Sequence, residues 1–341
     1  MYSFLNDYSE GAHENILNAL ISSNLKQSAG YGLDEHCEEA KVILKKVLKN
    51  NKIDIHFMTG GTQTNLICIS SFLKQYEAVI AVDTGHIATH ETGAIEACGH
   101  KVITTKSNDG KLCKEIIGKI LKTHNNEHMV KPKLVYISNS TEIGTIYTKE
   151  ELTSLYNYCK EKDLILFIDG ARMGAAITSK KNNLELSNLV NLCDAFYIGG
   201  TKNGALLGEA LIICNDRLKE DFRYNIKQKG ALLAKGRLLG IQFIELFKEG
   251  LFFDLANHAN EMALLIQDAL IKEGYTLLIE SPTNQIFPIM PNSSIEKLKE
   301  KYDFHIWEEY DENHTVIRLV TSWATDKDKV LSFIKDLKNL K

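Results

Sequence analysis

Between about residue 50 and residue 215, short apolar runs alternate with amphipathic segments, and nothing else in the chain constrains its fold as tightly. The apolar runs are IDIHFM (53–58), AVIAVD (78–83), KVITTK (101–106), KLVYIS (133–138), LILFID (164–169), AFYIGG (195–200) and EALIIC (209–214). Segments such as KEIIGKILKTH (114–124) and KEELTSLYNYCKEK (149–162) carry apolar residues at the three- and four-residue spacing of a helix. Strand and helix in alternation predict crossover units and a mostly parallel sheet covered on both faces. Residues 13–49 read as helical with a break at Gly30-Tyr31-Gly32. Beyond residue 215 the pattern changes to helices over 231–249 and 256–273. Strands at 275–279, 285–290, 304–310 and 315–320 follow, with helices over about 294–301 and 326–338. The expected fold class is therefore α/β: a three-layer large domain over residues 1–245 and a small α+β domain over 246–341.

The rest of the composition narrows the function by exclusion. A formal charge of -4 and the lack of a compact lysine block argue against nucleic-acid and membrane partners. The seven cysteines are scattered, with no C-x-x-C pair, as expected of reduced core thiols in a cytoplasmic protein. The polar N-terminus does not read as a signal peptide, and no apolar run approaches the ~20 residues of a membrane helix.

In parallel α/β sheets ligands gather at the carboxyl ends of the strands, so the residues after each run deserve reading first. After the first comes Thr59-Gly60-Gly61-Thr62-Gln63-Thr64-Asn65 and then an apolar helix. The glycines allow close backbone approach and the helix start offers free N–H groups, which makes a phosphate cradle. The segment matches neither common nucleotide-binding glycine pattern. After LILFI stands Asp169-Gly170-Ala171-Arg172. A carboxylate ending a buried strand needs a partner: it could cap the next helix, or keep a pyridine nitrogen protonated. After AFYI stands Gly199-Gly200-Thr201-Lys202-Asn203-Gly204. A lysine there could be a solvated loop residue, or a partly buried amine able to condense with an aldehyde. Cradle, aspartate and lysine, each behind its own strand, make one kit.

At these motifs the chain resembles the low-specificity L-threonine aldolases, among the fold-type I pyridoxal-phosphate enzymes. The likeness runs from the opening NDYS through Tyr31-Gly32, GGTQTN, DTGHIATHETGA, SNSTEIGTIYT, FIDGAR and YIGGTKNG to IRLVTSW. The resemblance implies pyridoxal 5'-phosphate as cofactor, with Lys202 holding it as a Schiff base and Asp169 on the pyridinium nitrogen. Gly60, Gly61 and Thr62 would hold the phosphate, with Thr201 beside the lysine, and His86 would stack on the ring as a candidate acid/base. Glu91 would lie beside the ring. Arg172 and Arg318, two of only five arginines, would grip the substrate carboxylate. No metal is implied: His86, His90 and Glu91 do not have the spacing of a zinc helix. A small amino acid is the implied partner, in a homodimer or homotetramer.

Two positions depart from the family pattern. Where many members carry an N-terminal serine that touches the carboxylate, this chain has Asn6. Where many carry a second histidine, it has Asn139-Ser140-Thr141-Glu142. The base that takes the substrate's hydroxyl proton is thus open among His86, Glu142 and a bound water. The implied reaction is retro-aldol cleavage of a β-hydroxy-α-amino acid to glycine and an aldehyde. Its rivals are β-elimination or transamination on the same fold, or a binding protein without turnover.

Overall fold

The computed structural model describes residues 1–340. All seven apolar runs form strands of one sheet: β1 (Asp54–Met58), β2 (Glu77–Val82), β3 (Val102–Thr105), β4 (Lys131–Ser138), β5 (Ile165–Asp169), β6 (Ala195–Gly199) and β7 (Glu209–Ile213). Their spatial order is β1-β7-β6-β5-β4-β2-β3. Every neighbouring pair is parallel except the two that involve β7, which runs against both β1 and β6. Alternate residues of one strand therefore feed opposite faces. Ile80, Val135, Ile137, Leu166, Ile168 and Phe196 belong to one core, and Val79, Leu134, Tyr136, Phe167 and Tyr197 to the other. A sheet buried on both sides explains why the strands read as nearly continuous apolar runs.

Helices α1 (Glu14–Ser23), α2 (Glu35–Val47), α3 (Gly61–Phe72), α4 (Lys114–Thr123), α5 (Lys149–Glu161), α6 (Met173–Thr178), α7 (Phe222–Gln228) and α8 (Arg237–Phe247) accompany the sheet. The helix expected from residue 231 begins only at Arg237. Before it, the carbonyl of Ala234 accepts from Tyr31 N at 3.2 Å, and Gly236 packs against the backbone of Gly32. Those carbonyls serve the 30–32 break rather than a helix. The sequence periodicity of 231–236 was therefore a poor guide.

The long α9 (Leu251–Lys272) leads into the small unit, where α10 (Asn292–Lys299) and α11 (Lys327–Lys338) pack with an antiparallel sheet around Met290, Ile317, Leu319 and Phe333. The strand expected over 275–279 is only Thr276–Leu277, and the run 285–290 divides into Gln285–Ile286 and Pro288–Pro291. Proline cannot donate to a ladder, which fits the interruption before Pro288. Phe4 is buried in this same core, and Tyr2–Ser3 pairs with Tyr302–Asp303. The first residues, expected with the large unit, thus pack into the small one, and the expected division at 245/246 falls inside α8. No described helix is long and apolar enough to cross a membrane.

Candidate active site

Strand direction delivers the site. The parallel strands β4 and β5 end at Ser138 and Asp169, which are paired in register, and β6 ends at Gly199. Because β7 runs the other way, its first residue, Glu209, lies opposite both Gly199 and Met58. Four chain segments distant in sequence therefore place polar groups at one edge of the sheet. They line a cleft of about 280 Å³ together with Tyr8, Gly60, Gly61, Thr62, His86, Glu142, Arg172, Thr201 and Lys202.

At the start of α3, Gly60 precedes the first turn and no side chain caps it. Helix starts carry free N–H groups and a partial positive charge, so this one suits an anion. A β-carbon at Gly61 would come to 3.0 Å from the Tyr197 hydroxyl, a tight contact that a glycine avoids. Gln63 turns away and accepts from Thr59 Oγ1 at 2.5 Å. The groups facing the cleft at 60–62 are thus mainly backbone.

Asp169 is 4% exposed. Its Oδ2 accepts from Tyr136 Oη at 2.5 Å and Asn65 Nδ2 at 3.0 Å, and its Oδ1 from Ala171 N at 3.0 Å. Burial alone would raise its carboxyl, but the His86 charge and the donors Tyr136, Tyr197 and Ala171 outweigh it, and Asp169 is held below the usual carboxylate range. It is an ionised group inside the protein, ready for a cation. Asn65 Nδ2 also donates to Glu91 Oε1 at 2.8 Å, and that oxygen lies 2.8 Å from His86 Nδ1. Burial opposes a charge on His86, yet Glu91 and Asp169 prevail and raise its pKa. The imidazole is thereby favoured as a cation with one nitrogen committed to Glu91.

Lys202 makes no hydrogen bond or ion pair among the described residues; its Nζ lies 5.8 Å from the centre of the Tyr8 ring. Burial and the nearby Arg172 charge lower its pKa, against Asp7, Asp169 and Glu209. An unpaired amine with a depressed pKa is a nucleophile in waiting. The loop is held from beneath: Thr201 Oγ1 donates to Glu209 Oε1 at 2.8 Å, and Gly200 N to Glu209 Oε2 at 3.2 Å. Thr201 lines the cleft, but its hydroxyl proton is spent on Glu209.

The two arginines differ. Arg172 is engaged side-on by Asp7, Nε to Oδ2 at 2.7 Å and Nη2 to Oδ1 at 3.0 Å. Asp7 is further held by Asn284 Nδ2 at 2.9 Å. Arg318 lies with its guanidinium carbon 5.4 Å from the Trp307 ring; its Nε is buried without a partner, and it has no carboxylate within ion-pair distance among the described residues. Asn6 does not line the cleft. Its Oδ1 accepts from Tyr8 N at 2.9 Å and Ser9 Oγ at 3.0 Å, closing a local turn that sends Asp7 inward. Sequence reading missed Asp7, Asn65, Tyr136, Tyr197, Glu209 and Asn284. A tyrosine inside a buried strand and an asparagine one turn into an apolar helix both require a partner, and that requirement was the available signal.

With this geometry in place, comparison with known proteins decides the family. The model of the beta-eliminating lyase family matches residues 7–291. The chain belongs to that family. A low specificity L-threonine aldolase from Pseudomonas sp. is 31% identical over 94% of this chain and 92% of its own length. A solved threonine aldolase structure from Leishmania major superposes with a TM-score of 0.99 at 50% identity, covering 100% of this chain and 99% of that one. The histidinol-phosphate aminotransferase from Clostridium acetobutylicum, at 15% identity and a TM-score of 0.76, shares the fold. The architecture is that of the fold-type I pyridoxal-phosphate enzymes.

Proposed function

We propose that this family member is a threonine aldolase that uses pyridoxal 5'-phosphate to cleave L-threonine, L-allo-threonine and related β-hydroxy-α-amino acids to glycine and an aldehyde. The observation that carries the reading is the unpaired Lys202 amine in one cleft with ionised Asp169 and an uncapped helix start. These residues fit the coenzyme. Gly60, Gly61 and Thr62 would hold its phosphate, Asp169 its ring nitrogen, His86 its face, and Lys202 its aldehyde carbon. When bound, the coenzyme supplies the electron sink into which the Cα–Cβ bonding pair drains.

The remaining chemistry belongs to the chain. Asp169, fixed by its donors and held ionised, would keep a proton on the ring nitrogen of the bound coenzyme by electrostatic attraction. Arg318 offers an unspent guanidinium to the substrate carboxylate, and Arg172 contributes the edge that Asp7 leaves open. Holding the carboxylate would fix the orientation of the substrate at Cα, and so select which of its bonds breaks. His86, charged and tied to Glu91, covers the ring position.

The reading includes a small amino acid as partner, a cytoplasmic setting and a homodimer or homotetramer. Exposed Ile21 of α1, Leu25 in the segment just after it and Tyr224 of α7 support self-association. The test is a product assay: threonine and allo-threonine should each give acetaldehyde and glycine, with no keto acid or ammonia. Lys202→Ala should lower cleavage by ~10⁴-fold or more while keeping the fold. Borohydride reduction of loaded protein should label the peptide containing Lys202. A label elsewhere, or an undiminished rate in the variant, would refute the assignment.

A further inference from the structure

The departure at residues 139–142 leaves the proton-accepting group unassigned, and the geometry narrows it. Glu142 is buried, 9% exposed, yet lines the cleft. Its two oxygens have different tasks. Oε1 is saturated by Ser138 Oγ at 2.6 Å and by the backbone N–H of His86 at 3.0 Å. Among the described residues Oε2 accepts no hydrogen bond from another residue and is not an enclosed orphan atom, and since Glu142 lines the cleft this is the oxygen left to face it. The carboxylate is thus clamped through one oxygen and presents the other.

We propose that Glu142 is a catalytic residue, the base that removes the β-hydroxyl proton through Oε2. This rests on the aldolase reading above. As the Cα–Cβ bond breaks, the O–H bond breaks too, and its proton moves to Oε2. The electron pair left on oxygen forms the aldehyde C=O, while the carbon–carbon pair stays on the Cα side. The reverse transfer from protonated Glu142 serves aldehyde addition to glycine.

The rival within the chain is His86, and its surroundings oppose it. Its Nδ1 is committed to Glu91, and the negative charges of Glu91 and Asp169 favour its protonated form, which cannot accept a proton. Glu142 has the opposite bias: burial, with Asp169 adding, raises its carboxyl, against Ser138 and His86. The groups facing it are Ser138, His86, Asp169, Tyr136 and Arg172. A carboxylate whose affinity for protons is moved toward the working pH is a better base than an ordinary one.

Glu142→Gln separates this role from a structural one, because the amide oxygen can still accept from Ser138 and His86 N while the Oε2 position becomes a donor. The variant should lose kcat for threonine by ~10²–10⁴-fold and lose the acidic limb of its pH profile, with glycine affinity within ~3-fold of wild type. Infrared spectra of coenzyme-free protein should show a buried carboxyl band that titrates in wild type and is missing in the variant. Glu142→Asp should recover part of the rate. If wild type cleaves threonine and Glu142→Gln cleaves it with the same limb, Glu142 is not the base and the aldolase reading survives. If His86→Asn removes the limb and Glu142→Gln keeps it, the proton goes to His86. If wild type releases no aldehyde, it is the aldolase reading that fails.

Discussion

The two ends of the central sheet treat buried charge in opposite ways. At the amino ends of the strands, Asp194 is 1% exposed and fully occupied: Oδ2 accepts from Leu166 N at 2.9 Å, and Oδ1 from Asn215 Nδ2 at 2.8 Å with Lys160 Nζ at 3.5 Å. Nearby, Glu77 Oε2 takes Lys74 N at 2.9 Å, and Lys133 pairs with Asp163 at 2.6 Å. At the carboxyl ends the matching is incomplete. Among the described residues Lys202 has no hydrogen bond or ion pair, Arg318 Nε and Glu91 Oε2 are buried without a hydrogen bond, and burial and the Asp169 charge raise the carboxyls of both Glu142 and Glu209. Unpaired buried polar groups cost stability, so a chain that tolerates them at one end and avoids them at the other is holding those groups for a ligand. The first end is built to fold, and the second to bind.

Substitutions at the two buried aspartates should separate these jobs. The larger effect is expected from Asp169→Asn. Its shape is retained, but no ionised group faces the cleft, and kcat/KM should fall by ~10²–10³-fold, the usual loss when one preorganised electrostatic partner is removed. Its urea midpoint should fall less than that of Asp194→Ala, since the remaining oxygen keeps Tyr136 and Asn65 and only the Ala171 N–H faces the new amide group. If the rate holds and stability drops instead, Asp169 belongs with the structural end. Asp194→Ala should do the reverse: leaving Leu166 N–H and Asn215 without their acceptor should cost ~2–3 kcal/mol in urea unfolding with kcat unchanged. A kcat loss in a fully folded Asp194→Ala protein would mean that the two ends are coupled.

The same contrast marks what could be read from the sequence. All seven sheet strands were legible because burial on both faces leaves long apolar runs, and Asp169 and Lys202 stood out as candidates because they stand where such runs stop. The strand order was not, since β7 returns between β1 and β6 only through pairings about 150 residues apart for β1. Nor was the Arg172–Asp7 pair, which spans 165 residues and is fixed by the small unit through Asn284. Arginine at 172 suggested a carboxylate; which carboxylate is a matter of tertiary structure. Asn6 misled because it neighbours the residue that enters the site: its own side chain is spent on the turn that sends Asp7 inward.

Glu209 permits the finest test, because it belongs to both descriptions: it anchors the lysine loop and is a buried carboxyl at the cleft with no ion pair among the described residues. Burial pushes its carboxyl up to about 8, with Asp169 adding, while Thr201 and Lys202 pull it down. A folded-state value above the unfolded one means that folding retains a proton which the unfolded chain releases. The contribution is therefore complete below the ordinary glutamate range, declines as pH rises from there toward 8, and levels beyond. The slope can reach ~1.4 kcal/mol per pH unit and no more, the limit for a single proton. Glu209→Gln carries no such proton. Unfolding of coenzyme-free wild type and variant, compared from pH 5 to 9, should show wild-type stability falling relative to the variant up to about 8 and running parallel above it. Parallel curves throughout would place Glu209 with Asp194, as a carboxylate held for structure alone.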